Sequence, residues 1–486
     1  MSVCDQHRGA RGGADRTGER SGKKPRTVTR RRLLWAGGIL AAGAVTAAAG
    51  GVGAYYATRF PAGTAHQGWL AIRGATALTG ENLEAVRDAI VLIQDGRVVE
   101  VASRLEIPDG AEILDAPGAT VLPGLIEMHA HMLFPETEPG EEFGGGDWAG
   151  HIWDIARYMP EVRRDFLKHG VTAVRDLGGD LVWARELRSS IADGTLEGPR
   201  TFVAGPMVTT PGGHPLGTPG SMSGGVPEEV ARTPRNAREA EQVIAELCDD
   251  EQPVDVIKVV HDGGAADMPL NAHEPEVLAA LVQAAHDRGV PVTAHCGSPT
   301  ELSQAVEAGL DGIEHLTLRD PSFDFGEMDT SAAMAWPEGL LDEMAARGVA
   351  LDPTLLVELD YPEERSPERA ELAERRFQRL REAHEAGVTI VAGSDAGMAI
   401  PGFGDGLIGE IITLGEAGLP NREILRSATS HAADALRSDQ IGVLEPGRAA
   451  DLLIVDGDPL SELRDVQEVM AVLRDGRVLD ADVEPA

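Results

Sequence analysis

Between Leu122 and about Arg437 the chain alternates short apolar runs with longer amphipathic stretches. Short apolar runs bounded by glycine and proline read as buried strands, and stretches with a 3.6-residue period read as helices. The strands predicted are Leu125–Met128, Ala173–Arg175, Phe202–Ala204, Val256–Val259, Val292–Ala294, Gly312–Glu314, Val349–Leu351 and Thr389–Ala392. Helical periods fit Ile152–Lys168, Ala237–Leu247, Glu274–Arg288, Glu301–Ala308, Gly339–Arg347, Pro367–Ala386 and Asn421–Arg437. Repeated βα units build a parallel sheet, and eight of them make an α/β fold of the (β/α)8 TIM-barrel kind. The loops after the first, third, fourth, sixth and eighth strands are long and glycine-rich, which is where such barrels place substrate contacts.

Both flanks of this region read as β structure. Ile90–Gln94 and Arg97–Val101 flank Asp95-Gly96, a two-residue hairpin signal, and Ala471–Arg474 and Arg477–Leu479 flank Asp475-Gly476 in the same way. Leu70–Arg73 and Asp451–Asp456 add further strands. The expectation is that residues 69–122 and 438–486 pair into one small β-sandwich beside a barrel spanning 123–437, bringing the barrel's ends together.

Ahead of residue 69 the pattern changes. Residues 1–32 are polar and basic, with ten Lys/Arg against three Asp/Glu, and run into Thr29-Arg30-Arg31-Arg32-Leu33-Leu34. This resembles a twin-arginine export signal, in which paired arginines precede an apolar run. Residues 33–54 carry no charge and are long enough to span a bilayer, with the basic flank left on the cytoplasmic side. A peptidase acting after Ala49 or Ala65 would release the body. An uncut segment would remain as an anchor, followed by a linker over 55–68, and the length of the run favours the anchor. The expected location is therefore extracytoplasmic, secreted or membrane-tethered, with the twin-arginine machinery as a partner.

The whole chain carries a net charge of -36, and because its first 32 residues are basic the body is more acidic still. Such a body repels nucleic acid and anionic lipid surfaces, and no nucleic-acid partner is expected. Cys4, Cys248 and Cys296 are the only cysteines and form no Cys-x-x-Cys pair, which argues against a disulfide framework and a thiolate zinc site. A chain of 486 residues is long enough for one large barrel with additions, and a homo-oligomer is compatible with its size.

Chemistry concentrates at the strand ends. His129 and His131 close the run Val121–Met128 at i and i+2, so they share one face of a strand and suit a transition-metal ion. Lys258, His295, His315 and Asp395 end four later strands, and a closed barrel would bring all six to one rim. Taken singly, a strand-end histidine is more often a hydrogen-bonded core residue, and an aspartate after Gly-Ser more often a cap or turn former. Lys258 resists such a reading, because an ammonium inside an apolar strand costs several kcal/mol unless paired or modified.

Several phrases carry a family resemblance: Pro-Gly-Leu-Ile-Glu-Met-His-Ala-His at 123–131, Gly-Val-Thr-Ala-Val-Arg-Asp at 170–176, Gly-Gly-His at 212–214 and Ile-Lys at 257–258. Ala-His at 294–295, Ile-Glu-His at 313–315, Gly-Ser-Asp-Ala-Gly at 393–397 and the stretch from Glu445 to Pro459 complete the set. The chain resembles the amidohydrolase superfamily over about residues 69–475, in the branch of imidazolonepropionase-like proteins and metal-dependent prolidase-like dipeptidases.

That resemblance implies a lysine carbamylated by carbon dioxide and bridging two divalent ions, with zinc the expected metal. His129, His131 and Asp395 would hold the more buried ion, and His295 and His315 the more exposed one. Asp395 would move the proton between nucleophile and leaving nitrogen, and His214 would steady the carbonyl or tetrahedral intermediate. A loop histidine in solvent is the alternative for His214, and Arg175 reads either as a partner for a substrate carboxylate or as a structural ion pair. One departure stands out. Relatives follow the lysine with a small residue and Ser or Thr before Gly-Gly, whereas here His261-Asp262 precede Gly263-Gly264, so His261 joins His214 and Arg175 as a candidate substrate contact.

The function expected is hydrolysis of a C–N amide bond in a small molecule such as a dipeptide or an N-acyl amino acid. The rivals are a one-metal imidazolonepropionase-like cyclic-amide hydrolase or deaminase, an ester, lactone or phosphotriester hydrolase, and a non-catalytic surface-tethered binding protein.

Overall fold

The computed structural model describes residues 65–132, 148–218, 230–320, 335–359, 367–397 and 402–481, all within one compact unit, Tyr56–Ala486. The expected export signal and anchor lie outside the described residues. Among the described residues no helix is long and apolar enough to cross a membrane.

Seventeen strands are described. The first five are β1 (Trp69–Thr79), β2 (Glu84–Gln94), β3 (Arg97–Ala102), β4 (Glu112–Asp115) and β5 (Ala119–Pro123). The central set comprises β6 (Leu125–Ala130), β7 (Val171–Asp176), β8 (Arg200–Val203), β9 (Met207–Val208), β10 (Ala231–Arg232), β11 (Ile257–His261), β12 (Val292–Cys296), β13 (Gly312–Glu314) and β14 (Ala350–Asp352). The last three are β15 (Leu452–Asp456), β16 (Val469–Arg474) and β17 (Arg477–Ala481).

The central strands form two parallel sheets, β6-β7-β8 and β10-β9-β11-β12-β13-β14. Hydrogen bonds join them at both seams. Asp255 N–H donates to Val203 O at 2.8 Å on one side. On the other, Val391 N–H donates to Leu351 O and Met128 N–H to Ala392 O. Every residue of β6, β7, β11, β13 and β14 is buried, as strands covered on both faces require. The result is a TIM-barrel-like α/β domain.

Seven of the eight expected strands are present within a few residues, and Thr389–Ala392 runs in the expected place but makes only an isolated bridge, Ile390 to Leu351. The expected helix Asn421–Arg437 breaks at Thr429 into Asn421–Ser427 and Ser430–Ala435. Besides the one-turn helix Leu355–Glu358, two longer helices were not expected: Leu181–Ala192, begun by the Asp180 side chain accepting from Val182 and Trp183 N–H, and Phe403–Glu416. The second is rich in glycine, which reads as loop. Its Gly404 packs so close to the Asp165 carbonyl that an added Cβ would collide with it, so close helix packing selects the glycine.

The terminal segments pair as expected, through β5 and β15 in antiparallel register from Ala119↔Asp456 to Pro123↔Leu452. They form one mixed sheet in the order β17-β16-β15-β5-β1-β2-β3, with β4 against β1. Both predicted hairpins are there: Asp95 and Gly96 have φ of 48° and 78°, and Asp475 and Gly476 have φ of 48° and 72°. Two successive positive φ values are what a two-residue turn needs to follow the strand twist. This sheet has its own apolar core, centred on Leu70, Ile72, Val91, Ile93, Val121, Leu452 and Ile454.

Candidate metal centre at the strand ends

The strand ends bring His129, His131, Lys258, His295, His315 and Asp395 together. His129 Nε2 and His131 Nε2 stand 3.2 and 3.3 Å from Asp395 Oδ1, and Lys258 Nζ stands 3.3 Å from His129 Nε2. The His315 ring lies 4.9 Å from that of His129 and 4.7 Å from that of His295, centroid to centroid. His214 stacks on His295 at 5.2 Å and 20°, while its Nδ1 meets Thr218 Oγ1 at 2.8 Å. His214 is therefore packed against the cluster, not free in solvent.

Three imidazoles in the cluster spend one nitrogen on an oxygen facing away from it. His129 Nδ1 lies 3.0 Å from Glu314 Oε2, a close pair whose angle falls short of a well-aligned hydrogen bond. His295 Nε2 meets Asp262 Oδ2 at 2.9 Å, and His315 Nδ1 meets Thr354 Oγ1 at 2.7 Å. That leaves each ring its second nitrogen for another partner, as when a metal-ligating histidine is oriented through the other one. The ligand atoms of His129, His131 and Asp395 all lie within 4.8 Å of one another. Imidazole nitrogens with one carboxylate suit a divalent transition metal, so the residues present fit such an ion.

The electrostatics agree with that use. Burial pushes the His129 imidazolium down to about 4, helped by Lys258, so the ring is neutral and has a lone pair to offer at neutral pH. Burial lowers Lys258 as well, against the pull of Glu314 and Asp395. Burial would raise the Asp395 carboxyl, but His129, the hydrogen bond to His131 and His315 together hold it well below the usual carboxylate range.

Backbone conformation aims two of these groups. His315 has φ 72° and Asp395 φ 60°, the left-handed region that costs a non-glycine residue energy. On an extended strand His315 would face away from Glu314, its neighbour. The left-handed turn instead lets Glu314 reach His129 inside the barrel while His315 joins the cluster.

Arg175 is not offered to a substrate. It is buried, its Nε donates to Met128 O, and its NH2 donates to Glu314 Oε1 at 2.7 Å. It acts on the cluster through Glu314 and His129. His261 is also placed elsewhere: fully buried, its Nε2 meets Gln304 Oε1 at 3.0 Å and its Nδ1 accepts from His273 N–H at 3.2 Å. Alternation along β11 explains this, since Lys258 faces the barrel interior and His261, three residues on, faces the surrounding helices.

Several contributors escaped the sequence. Glu127 accepts from His129 N–H, Ser394 N–H and the Ser394 hydroxyl, tying β6 to the Asp395 loop, and burial lifts its carboxyl to about 7. Asp262, Glu314 and Thr354 orient imidazoles, and Arg319 pairs with Asp262. Asp352 is buried with both carboxylate oxygens lacking a hydrogen-bond partner, and burial and Glu314 push its carboxyl well above the usual range. It also shares a possible ligand group with His129 and Glu314, but through the His129 nitrogen that faces away from the cluster. A cavity walled by Val256, Val292, Gly312 and Ala350 opens at the opposite ends of the same strands, and none of the clustered imidazoles lines it.

The sequence pattern of the amidohydrolase family matches residues 120–479. The chain belongs to the amidohydrolase family. It is 24% identical over 426 residues to ochratoxinase of Aspergillus niger, covering 80% of this chain and 82% of that one. To imidazolonepropionase of Mycolicibacterium smegmatis it is 26% identical over 423 residues, covering 82% and 92%. A crystal structure of a prolidase complexed with N-methylphosphonate-L-proline superposes with a TM-score of 0.68 at 26% identity, over 85% of this chain and 100% of that one. This amidohydrolase is accordingly an enzyme acting on amide bonds, of a family that is generally metal-dependent.

Proposed function

We propose that this amidohydrolase is a two-ion enzyme that hydrolyses the C–N bond of a dipeptide or N-acyl amino acid, on a closed eight-membered barrel with a terminal β-sandwich. His129, His131 and Asp395 would hold one divalent ion, His295 and His315 a second, and Lys258, as a carbamate, would bridge them. The observation that carries this reading is Lys258, 2% exposed and 3.3 Å from His129 Nε2. An ammonium there has no lone pair to offer and crowds a ligand nitrogen, whereas an amine carboxylated by carbon dioxide becomes an anionic oxygen ligand. Ligand type favours zinc.

When bound, the ions supply a nucleophile at neutral pH and polarise the scissile carbonyl. Asp395 takes the proton from the attacking water and returns it to the leaving nitrogen. His214, stacked on His295 with its Nδ1 held by Thr218, presents its other ring edge to the developing oxyanion. Arg175 keeps Glu314, and through it His129, in place.

Elemental analysis of the zinc-loaded protein is expected to find about two ions per chain. Lys258→Ala should abolish turnover and weaken metal binding, and acetate or propionate should restore part of the activity by entering the vacated space. Near-normal turnover of Lys258→Ala without added acid would overturn the reading, and one ion in active protein would favour the imidazolonepropionase-like rival. We further infer export through the twin-arginine route, from Arg30-Arg31 ahead of the uncharged run. Replacing both arginines by lysine should leave the precursor in the cytoplasm, and undiminished export of that variant would reject the inference.

A further inference from the structure

Asp262 lies in the loop that follows β11, and the structure gives it three donors. Its Oδ2 meets His295 Nε2 at 2.9 Å and also the Arg319 guanidinium, and its Oδ1 accepts Gly264 N–H at 2.7 Å. The loop carrying it is fixed from outside. Glu301 accepts Gly263 N–H through one carboxylate oxygen at 2.6 Å, and Gly297 and Ser298 N–H through the other at 3.1 and 2.8 Å. Glu301 is itself locked by the capping box with Ser298 at the start of the helix Pro299–Ala308. Arg319 comes from the loop after β13, its backbone N–H on Gly297 O at 2.9 Å. Gly297 sits beneath the pair, and a Cβ there would collide with both Arg319 and Asp262.

We propose that Asp262 and Arg319 form a positioning pair for His295: the aspartate fixes the ring's tautomer and orientation, and the arginine fixes the aspartate. The proposal rests on the two-ion reading above, in which His295 is a ligand of the second ion. A carboxylate only accepts, so His295 Nε2 carries the proton and Nδ1 keeps the lone pair that a ligand needs. Arg319 matters because Oδ2 is shared. Without the guanidinium, Oδ2 keeps only the ring as a donor, and the carboxylate is held on its other side by Gly264 N–H alone, a looser hold on the ring.

Asparagine cannot replace this aspartate. If its amide oxygen faces His295 and Arg319, its NH2 faces the Gly264 N–H, donor against donor. If the amide is flipped, its NH2 faces Arg319 and the ring, and His295 can then pair with it only by accepting at Nε2. That moves the proton to Nδ1 and removes the ligand lone pair.

The test uses the full-length protein, wild type, Asp262→Asn and Arg319→Ala, with zinc affinity read by competition against a chromophoric chelator. Wild type is expected to bind two ions. Asp262→Asn should keep the tighter ion and bind the weaker one about 10–100-fold less well. Raising zinc by the same factor should restore most of its activity, and Arg319→Ala should shift the same ion less. Two ions bound with wild-type affinity in Asp262→Asn, or both ions weakened alike together with a lower melting temperature, would overturn the pair. A second readout needs no metal. In histidine-15N-labelled, metal-free protein, with His295 assigned by its loss in His295→Gln, long-range proton–nitrogen correlation should show Nε2–H in wild type. If wild type binds one ion, the two-ion reading fails while this readout still decides the pair: Nε2–H in wild type upholds it, and Nδ1–H in wild type overturns it.

Discussion

The two halves of the cluster are steadied by the same device built in two different places. His129 leans on Glu314, which is held by Arg175, and His295 leans on Asp262, which is held by Arg319. Glu314 and Arg175 project from β13 and β7 into the barrel, with side chains 1% and 6% exposed. Asp262 and Arg319 follow β11 and β13 on loops, at 4% and 11%. The inner pair is part of the barrel core, so its loss threatens the fold. The outer pair belongs to the rim, where loops can change without disturbing strand register.

The sharpest way to break this comparison is to remove both carboxylates in parallel. Glu314→Ala takes the nearest carboxylate from the buried Arg175 guanidinium, leaving Asp352 at 3.8 Å, and should lower unfolding free energy by about 3–5 kcal/mol, read by urea titration of metal-free protein. Asp262→Ala should cost clearly less, and equal losses would mean that the two pairs do the same structural work.

A smaller effect concerns what lies behind the rim. Thr354, which holds His315, precedes a short helix whose first N–H groups, on Leu355 and Leu356, donate to Glu410 at 3.0 and 2.7 Å. Burial pushes the Glu410 carboxyl from 4.5 up to about 8. The folded state therefore keeps a proton that the unfolded state releases, and the contribution of this group to stability is greatest below pH 4.5 and falls as pH rises toward 8. Each such group contributes up to about 1.4 kcal/mol per pH unit. Glu127 and Asp176, both raised by burial to about 7, add the same sign at lower pH. Between pH 7 and 8 Glu410 adds to a slope to which Asp352, also raised by burial, adds the same sign and Lys258, lowered by burial, the opposite one, and Glu410→Gln should make the slope less negative in denaturant titrations of metal-free protein. An unchanged slope would remove Glu410 from the account.

The least effect is expected from Thr354→Val, which takes one neutral hydroxyl from His315. The second ion should weaken about tenfold in chelator competition, with unfolding free energy changed by about 1 kcal/mol. A loss as large as that of Asp262→Asn would show that the rim depends on both imidazoles equally.

The metal-competent residues were legible because they end apolar runs, and an apolar run that stops at a histidine or lysine marks both a strand and its rim. The partners that steady them were not. Glu314 stood in the quoted phrase Ile-Glu-His, yet strand alternation sets it and His315 on opposite faces, and only the left-handed backbone at His315 brings both to use. Asp262 showed as a departure from its relatives, but its contact with Arg319 spans 57 residues and depends on how two loops cross. His261 was misplaced by proximity to that departure. Among the elements, glycine content hid the helix Phe403–Glu416, whose glycines serve close packing.

The pairing of β5 with β15 has a consequence for how the chain is made. β5 leaves the ribosome well before Leu452–Asp456, the strand that covers its free side, with the central strands β6 to β14 made in between. At ordinary elongation rates the interval is on the order of tens of seconds. For all that time an apolar strand edge stands open, the kind of edge that pairs with other chains. Removing β15, β16 and β17 would unseal β5, so these three short strands govern solubility of the nascent chain far more than their length suggests.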